Sequence, residues 1–208
     1  TAHGRAIAPR DVAASIVRAR ALGAKAWLAD VPAPKIDGKL DDLAWQRASN
    51  TGALIDVATG APNTRLPWNA SVRLTWDDTF LYVGADVVDD KLVGGLKPTA
   101  AKDPHLWEKS CVELMVEPDA EGSNQGYYEI QISPQNLIFD SQFDGYNAPR
   151  GGPNGPFGHE EWAVGGKTAV TVDGTLDKDD DVLIVGLNRA MDVIAKKLDS
   201  VRSMGAHP

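Results

Sequence analysis

Between Ser71 and Val88 apolar and polar positions alternate: Val72, Leu74 and Trp76 are separated by Arg73 and Thr75. A period of two places successive side chains on opposite faces of a pleated strand, so this segment predicts a half-buried strand. Asp77 and Asp78 supply turn chemistry, and Phe80 to Val88 is the returning arm of a hairpin, with Phe80 and Tyr82 alternating against Leu81 and Val83. The same pattern predicts strands at Cys111 to Val116, Tyr127 to Ile132 and Leu137 to Phe139, the last two joined through Ser133, Pro134 and Gln135. Lys167 to Val172, an acidic turn from Asp173 to Asp181, and the apolar run Val182 to Leu187 complete the set.

The two ends of the chain have a different period. Val12, Ile16 and Val17, then Ala19 and Ala21, form a loose helical stripe between Asp11 and Gly23. Met191, Ile194, Leu198 and Val201 lie three and four apart, which predicts a final amphipathic helix. Short strands at hairpin spacing with helices only at the ends predict an all-β fold, an antiparallel β-sandwich of the jelly-roll or immunoglobulin-like kind. Composition divides the chain near Asp30: residues 1–30, rich in Ala and Arg, form an N-terminal extension with a helical stripe, and residues 31–208 form the sandwich.

One stretch fits neither period. Between Phe143 and His159 lie five glycines and three prolines, which predicts a long irregular surface loop. Loops of this length carry function often enough to make it a first place to look for a site.

Composition narrows the functions. A length of 208 residues suits one domain with a true core. Net charge is -8, from 29 acidic against 21 basic side chains, and such a surface repels phosphate backbones, which argues against a nucleic-acid partner. No run of about 20 apolar residues occurs, so no membrane-spanning helix is expected. The single cysteine, Cys111, has no internal disulfide partner and sits mid-strand, as a small buried hydrophobe would.

Catalytic signatures are weak. A glycosidase needs two carboxylates about 5 to 10 Å apart across a cleft. Glu108, Glu113, Asp140, Asp144, Glu160 and Glu161 are all available, yet no spacing singles out a pair. Neither GxSxG, HExxH nor a phosphate loop occurs. The acidic turn offers Asp173, Asp177 and Asp179 as hard oxygen ligands suited to structural Ca²⁺, against the alternative of a solvated turn.

Three stretches together resemble the family 9 carbohydrate-binding modules and the related DOMON-like sandwiches. They are IDGKLDDLAWQRA (Ile36 to Ala48), SVRLTWDDTFLYVGADVVDD (Ser71 to Asp90) and LWEKSCVELMVEPD (Leu106 to Asp119). YYEIQISPQNLIFDS (Tyr127 to Ser141) and KTAVTVDGTL (Lys167 to Leu176) follow in the family's order. In the first stretch Asp37 and Gly38 make a turn, and the acids that follow cap a short helical turn that drops Trp45 into the core.

The resemblance implies a non-catalytic module that binds carbohydrate, extracellular or periplasmic, serving polysaccharide catabolism alone or beside a glycoside hydrolase. It implies that Trp107 stacks on a sugar ring, that Glu113 and Gln131 bond to sugar hydroxyls, and that Asn147, Arg150 and Trp162 from the long loop complete the rim. A second tryptophan facing the first is also implied, with Trp162 and Trp68 as candidates. The family usually has an acid where Ser110 stands.

No cofactor is required by this reading. Its rivals are a haem-binding DOMON-like electron-transfer domain, with Met115 and His105 or His159 as axial ligands, and an interaction module of a larger extracellular assembly. In the latter, a protein partner would cover an open sheet edge or dock on the terminal helices.

Overall fold

A computed structural model describes residues 31–56, 60–61, 69–77, 80–89, 92–96, 105–117, 123, 125–177 and 182–188. The helical stripes expected at the two ends, and the boundary at residue 30, lie outside the described residues.

Among the described residues eight strands form two antiparallel sheets. β1 (Ser49–Asn50), β2 (Asn69–Trp76), β3 (Leu81–Val88), β7 (Lys167–Asp173) and β8 (Val182–Asn188) make a five-stranded sheet in the order β1-β2-β3-β8-β7. β4 (Val112–Val116), β5 (Tyr127–Ile132) and β6 (Ile138–Phe143) make a three-stranded meander. Every pairing between them is antiparallel, as the sandwich expectation requires.

Alternation along each strand decides what the two sheets share. Leu74 from β2, Leu81, Val83 and Ala85 from β3, and Val116, Tyr128, Ile130 and Ile132 from the small sheet form one buried cluster, with Val170 and Val172 of β7 packed against it. This is the interlayer core.

The other face of the large sheet is buried as well. Ile36, Leu40, Trp45 and Tyr82 form a second cluster, joined by Ala169 of β7. The segment from Val31 to Ala48, carrying the short helix α1 (Leu43–Arg47), thus straps across β3 and β7. Trp45 is 1% exposed. It is therefore buried as its motif suggests, although in this strap and not between the sheets.

Glycine permits the close approach. A Cβ on Gly84 would come within 2.6 Å of a Leu40 methyl and 3.1 Å of the Trp45 ring. Gly38, at φ +82, lies so near Thr171 that a Cβ would meet its backbone nitrogen at 2.8 Å. The acids of this segment do not cap α1 as expected. Asp42 occupies the cap position without a side-chain cap bond, and its carboxylate instead accepts the Lys35 N–H at 2.8 Å.

At the hairpin's turn Asp77 acts as its sequence predicts, and Asp78 lies outside the described residues. Asp77 Oδ1 accepts the Phe80 N–H at 2.7 Å and Oδ2 accepts the Tyr82 hydroxyl. A larger departure concerns β6, which runs on through Asp140, Ser141 and Gln142 to Phe143 and is not finished at Phe139. Polar residues there suggest the end of a strand, but Asp140 and Ser141 are buried and internally bonded. Among the described residues no helix is long and apolar enough to cross a membrane.

The strap's packing sets a testable difference between two glycines that share a left-handed backbone. Gly52→Ala, with open space around its Cβ, should cost about 1–2 kcal/mol from backbone conformation alone. Gly38→Ala should cost a further 1–3 kcal/mol or so from overpacking against Thr171. Urea unfolding of both variants reads the difference, and equal losses would contradict the contact between strap and β7.

Candidate functional site

Residues directly opposite each other on antiparallel strands point to the same side of the sheet. On the small sheet Val112, Leu114, Val116, Tyr128, Ile130 and Ile132 face the interlayer core. The alternate positions must therefore face outward, in cross-strand rows: Glu113, Gln131 and Phe139 form one, Met115, Glu129 and Ser141 the next, and Tyr127 with Phe143 a third. The outward face is covered in its turn. Leu106, Tyr127, Phe139, Phe143 and Phe157 make a third buried cluster, with Trp107, Cys111 and Leu137 packed against it.

Among the described residues Leu96 contributes to that cover, and two further segments supply most of it. The first is a 3-10 turn, Leu106–Glu108, whose Leu106 is buried. The second is the glycine- and proline-rich loop after β6, tied down by the polar residues of that strand. Ser141 Oγ donates to the Phe157 carbonyl at 2.6 Å, the Asp140 carboxylate accepts the Val164 N–H, and Gln142 bridges to His159. Within the loop Glu160 accepts the Phe157 N–H at 2.6 Å. His159 bonds to Asp144 at 3.0 Å, and that carboxylate, followed by Glu161, raises the imidazole's pKa.

Trp107 is half-buried at the edge of this aromatic cluster. It meets Phe157 at 5.0 Å and Phe139 at 5.8 Å, both edge to face. His105 stacks against the indole at 4.7 Å and so occupies one of its faces. Arg150 is exposed, with its guanidinium over the Phe157 ring at 5.6 Å. The Asn147 N–H donates to the Tyr127 hydroxyl at 3.2 Å.

Two carboxyl groups meet under this cover. The Gln131 amide nitrogen donates to Glu113 at 2.8 Å and to Glu129 at 2.7 Å. Gln131 is 1% exposed and Glu129 7%, whereas Glu113 lies half-buried. Only an amide nitrogen can donate to both acids, and this fixes the amide's orientation. Its oxygen is then turned to a buried position without a hydrogen-bond partner.

Burial, and then the hydrogen bond and charge of Glu113, push the Glu129 carboxyl up to about 8. At neutral pH Glu129 is therefore mostly a neutral acid bonded to Glu113. Cys111 is pushed up to about 12 by burial and by the charges of Glu113 and Glu129, so its thiol stays protonated and unreactive, as its sequence context suggests.

The structure thus brings Trp107, Glu113 and Gln131 to one face of one sheet, and Asn147 and Arg150 onto the segment that covers it. Gln131, however, does not take the expected place on a sugar hydroxyl, because its amide is buried and both its hydrogens are committed to the two acids. Trp162 is placed elsewhere. It packs on Tyr128 at 4.7 Å as part of the interlayer core, on the other side of the sheet from Trp107, and so does not complete the rim. Trp68 lies outside the described residues. Ser110, where an acid is usual, accepts the Val93 N–H at 2.9 Å.

Of the acidic turn, Asp173 is exposed at the end of β7, Asp177 Oδ1 accepts the Gly94 N–H at 3.2 Å, and Asp179 lies outside the described residues. Among the described residues no group of three or more His, Cys, Asp and Glu side chains is placed to share a metal ion. Of the residues weighed for haem, Met115 shares the outward row of Glu129, His105 is stacked on Trp107 and His159 is bonded to Asp144.

Sequence reasoning missed Glu129. Its signal was present, since Glu129 and Gln131 are two apart on a strand and share a face. Tyr146 was missed as well. It is 77% exposed beside Asn147, and it acts electrostatically on the Tyr127 hydroxyl.

Comparison with known proteins matches residues 36–147 to the family described as carbohydrate family 9 binding domain-like. Exoglucanase XynX of Acetivibrio thermocellus is 31% identical over 111 residues, which is 52% of this chain and 9% of that protein. Endo-1,4-beta-xylanase A of Thermoanaerobacterium saccharolyticum is 30% identical over 112 residues, 52% of this chain and 8% of the relative. The chain thus spans only about a tenth of the length of these relatives. A solved structure from Bacteroides uniformis, described as a candidate carbohydrate-binding protein, aligns over 82% of this chain and 72% of its own, with a TM-score of 0.53 at 13% identity. At that identity the likeness speaks for the fold.

The buried acid has a consequence for stability. Its folded pKa of about 8 exceeds the ordinary carboxyl value of 4.5. From 4.5 to about 8 the folded state therefore holds a proton that the unfolded state has released, and stability declines as pH rises through that window. Glu129→Gln should remove this decline, so that the variant gains on the wild type between pH 4.5 and 8 and by no more above it. Denaturant midpoints across that range measure the gap, and a gap that does not change with pH would contradict the buried acid.

Proposed function

The chain belongs to the family 9 carbohydrate-binding domains, and from that membership we propose that it holds a glucan or xylan chain against the outward face of its three-stranded sheet, within a secreted polysaccharide-degrading protein. Members of this family bind carbohydrate without catalysing its cleavage, and this chain is such a non-catalytic module. The choice of polymer rests on its relatives, one named an exoglucanase and the other an endo-1,4-beta-xylanase.

One observation carries the choice of face. Trp107 contacts Phe139, and Phe139 shares a cross-strand row with Gln131 and Glu113. An apolar ring and a carboxylate thus converge there while both keep some exposure. Sugars ask for that pairing, because each pyranose offers an apolar C–H face and a rim of hydroxyls. His105 already occupies one indole face, so the sugar meets the remaining exposed part of the ring. Asn147, Arg150 and Tyr146 stand on the covering loop, where they contact sugar units further along the polymer.

Affinity should be modest. Sugar hydroxyls exchange water hydrogen bonds for protein ones at small net gain, so the apolar contact carries much of the binding. Trp107→Ala and Glu113→Gln should each weaken binding about tenfold or more, equivalent to about 1.4 kcal/mol. Affinity electrophoresis in soluble xylan and hydroxyethyl cellulose, followed by calorimetry with xylo- and cello-oligosaccharides, measures this, with unchanged circular dichroism as the control for folding. Retardation of both variants equal to that of the wild type would move the site to another surface.

A further inference from the structure

Glu113 is the half-buried member of the acid pair, and Glu129 lies deeper on the next strand with its carboxyl against the same Gln131 amide. Resting on the sugar-binding reading above, we propose that Glu129 is a positioning residue: as a neutral acid it donates its proton in a hydrogen bond to Glu113 and holds that carboxylate in the orientation that accepts sugar hydroxyls, which makes affinity depend on pH.

The geometry leads there by elimination. Gln131 has two amide hydrogens and spends one on each acid, so it cannot choose between them. If both acids were ionised, two negative charges would share one amide group in a site where neighbouring water is largely excluded, and the pair would separate. Glu113 is the one with access to solvent, so it is the one that would move. With Glu129 protonated, Glu113 instead receives two hydrogen bonds, one from Gln131 and one from Glu129, and retains lone pairs for a ligand. The unpartnered Gln131 oxygen fits this arrangement. A buried acceptor without a donor is costly, and the site tolerates it because the amide must direct its nitrogen at the acids.

Among the described residues no cation is paired with either acid. Around Glu129 stand Glu113 and Met115 from β4, Ser141 from β6, and Tyr127 and Gln131 from its own strand, with Cys111 close enough to sense its charge. Burial first, and then Glu113, raise its pKa, and the Gln131 hydrogen bond opposes them. Of the charged groups on the covering segments, Arg150 lies over Phe157, His159 is held by Asp144 and Glu161, Glu160 is bonded to the Phe157 backbone, and His105 pairs with Glu108.

If only the protonated form binds, apparent affinity scales with its fraction. For a carboxyl titrating at about 8, binding should be nearly full at pH 6.5 and weaker by about tenfold at pH 9. Glu129→Gln, which keeps the shape and cannot ionise, should bind with the wild-type affinity of pH 6.5 at both pH values. Calorimetry of the wild type near pH 8 in buffers of different ionisation enthalpy should show about half a proton taken up per ligand, and it needs no variant to fold. Wild-type binding that is flat with pH, a parallel decline in Glu129→Gln, or zero proton uptake would each overturn the positioning role while leaving the sugar site intact. No binding of xylo- or cello-oligosaccharides at any pH would overturn the sugar reading itself, and this inference with it.

Discussion

The amide group of Gln131 lies between two carboxyl groups on the outward side of a three-stranded sheet, and each of its hydrogens is committed to one of them. A polar row of this kind, nearly closed to solvent, survives only if its members satisfy one another. Strand register makes that possible, because Glu113 and Gln131 are direct partners and Glu129 is the next residue on the same face. A slip of one residue would send all three into the interlayer core and bring Leu114 and Ile130 out in their place. Register on the small sheet is therefore fixed from both sides at once.

From this follows the use of the small sheet's two faces. One completes the interlayer core with Val116, Tyr128, Ile130 and Ile132. The other carries the acids under an aromatic cover made by Trp107, Phe139 and Phe157. That cover is held by Ser141 of β6 on the Phe157 carbonyl, while Asp140, on the other face of the same strand, accepts the Val164 N–H where the chain has passed to the interlayer core. The glycine- and proline-rich segment is irregular in backbone yet well anchored, which suits a surface that must present groups in fixed positions. Polysaccharide binding by a family 9 module asks for a platform of this sort, rigid and partly apolar with a carboxylate at its rim.

Much of this architecture was legible in the sequence, and the reason is periodicity. Alternation marked the β2–β3 hairpin, β4, β5 and β7 closely, because each has an apolar face towards the interlayer core, and a continuous apolar run marked β8. The end of β6 was not legible. Asp140, Ser141 and Gln142 look like turn residues until their partners on a distant loop are known. For the same reason Trp162 was assigned to the rim, since sequence places it near the loop but does not say which side of the sheet its ring takes. Glu129 was passed over although Gln131 was noticed. Two polar residues on a strand suggest a solvated face, and only cross-strand pairing with Glu113 and the burial of Glu129 show the amide between them to be shared by two acids.

The central claim is that sugar meets the outward face of the small sheet and no other surface. Nitrogen-15 NMR of the labelled protein, titrated with a xylo- or cello-oligosaccharide at pH 6.5, tests it most directly. The account predicts that the Trp107 indole N–H and the Gln131 side-chain amide shift together with the amides of Tyr127 to Gln131, while the Trp45 indole in the strap stays where it was. Shifts confined to the strap or to β7, with Trp107 and Gln131 unmoved, would contradict it.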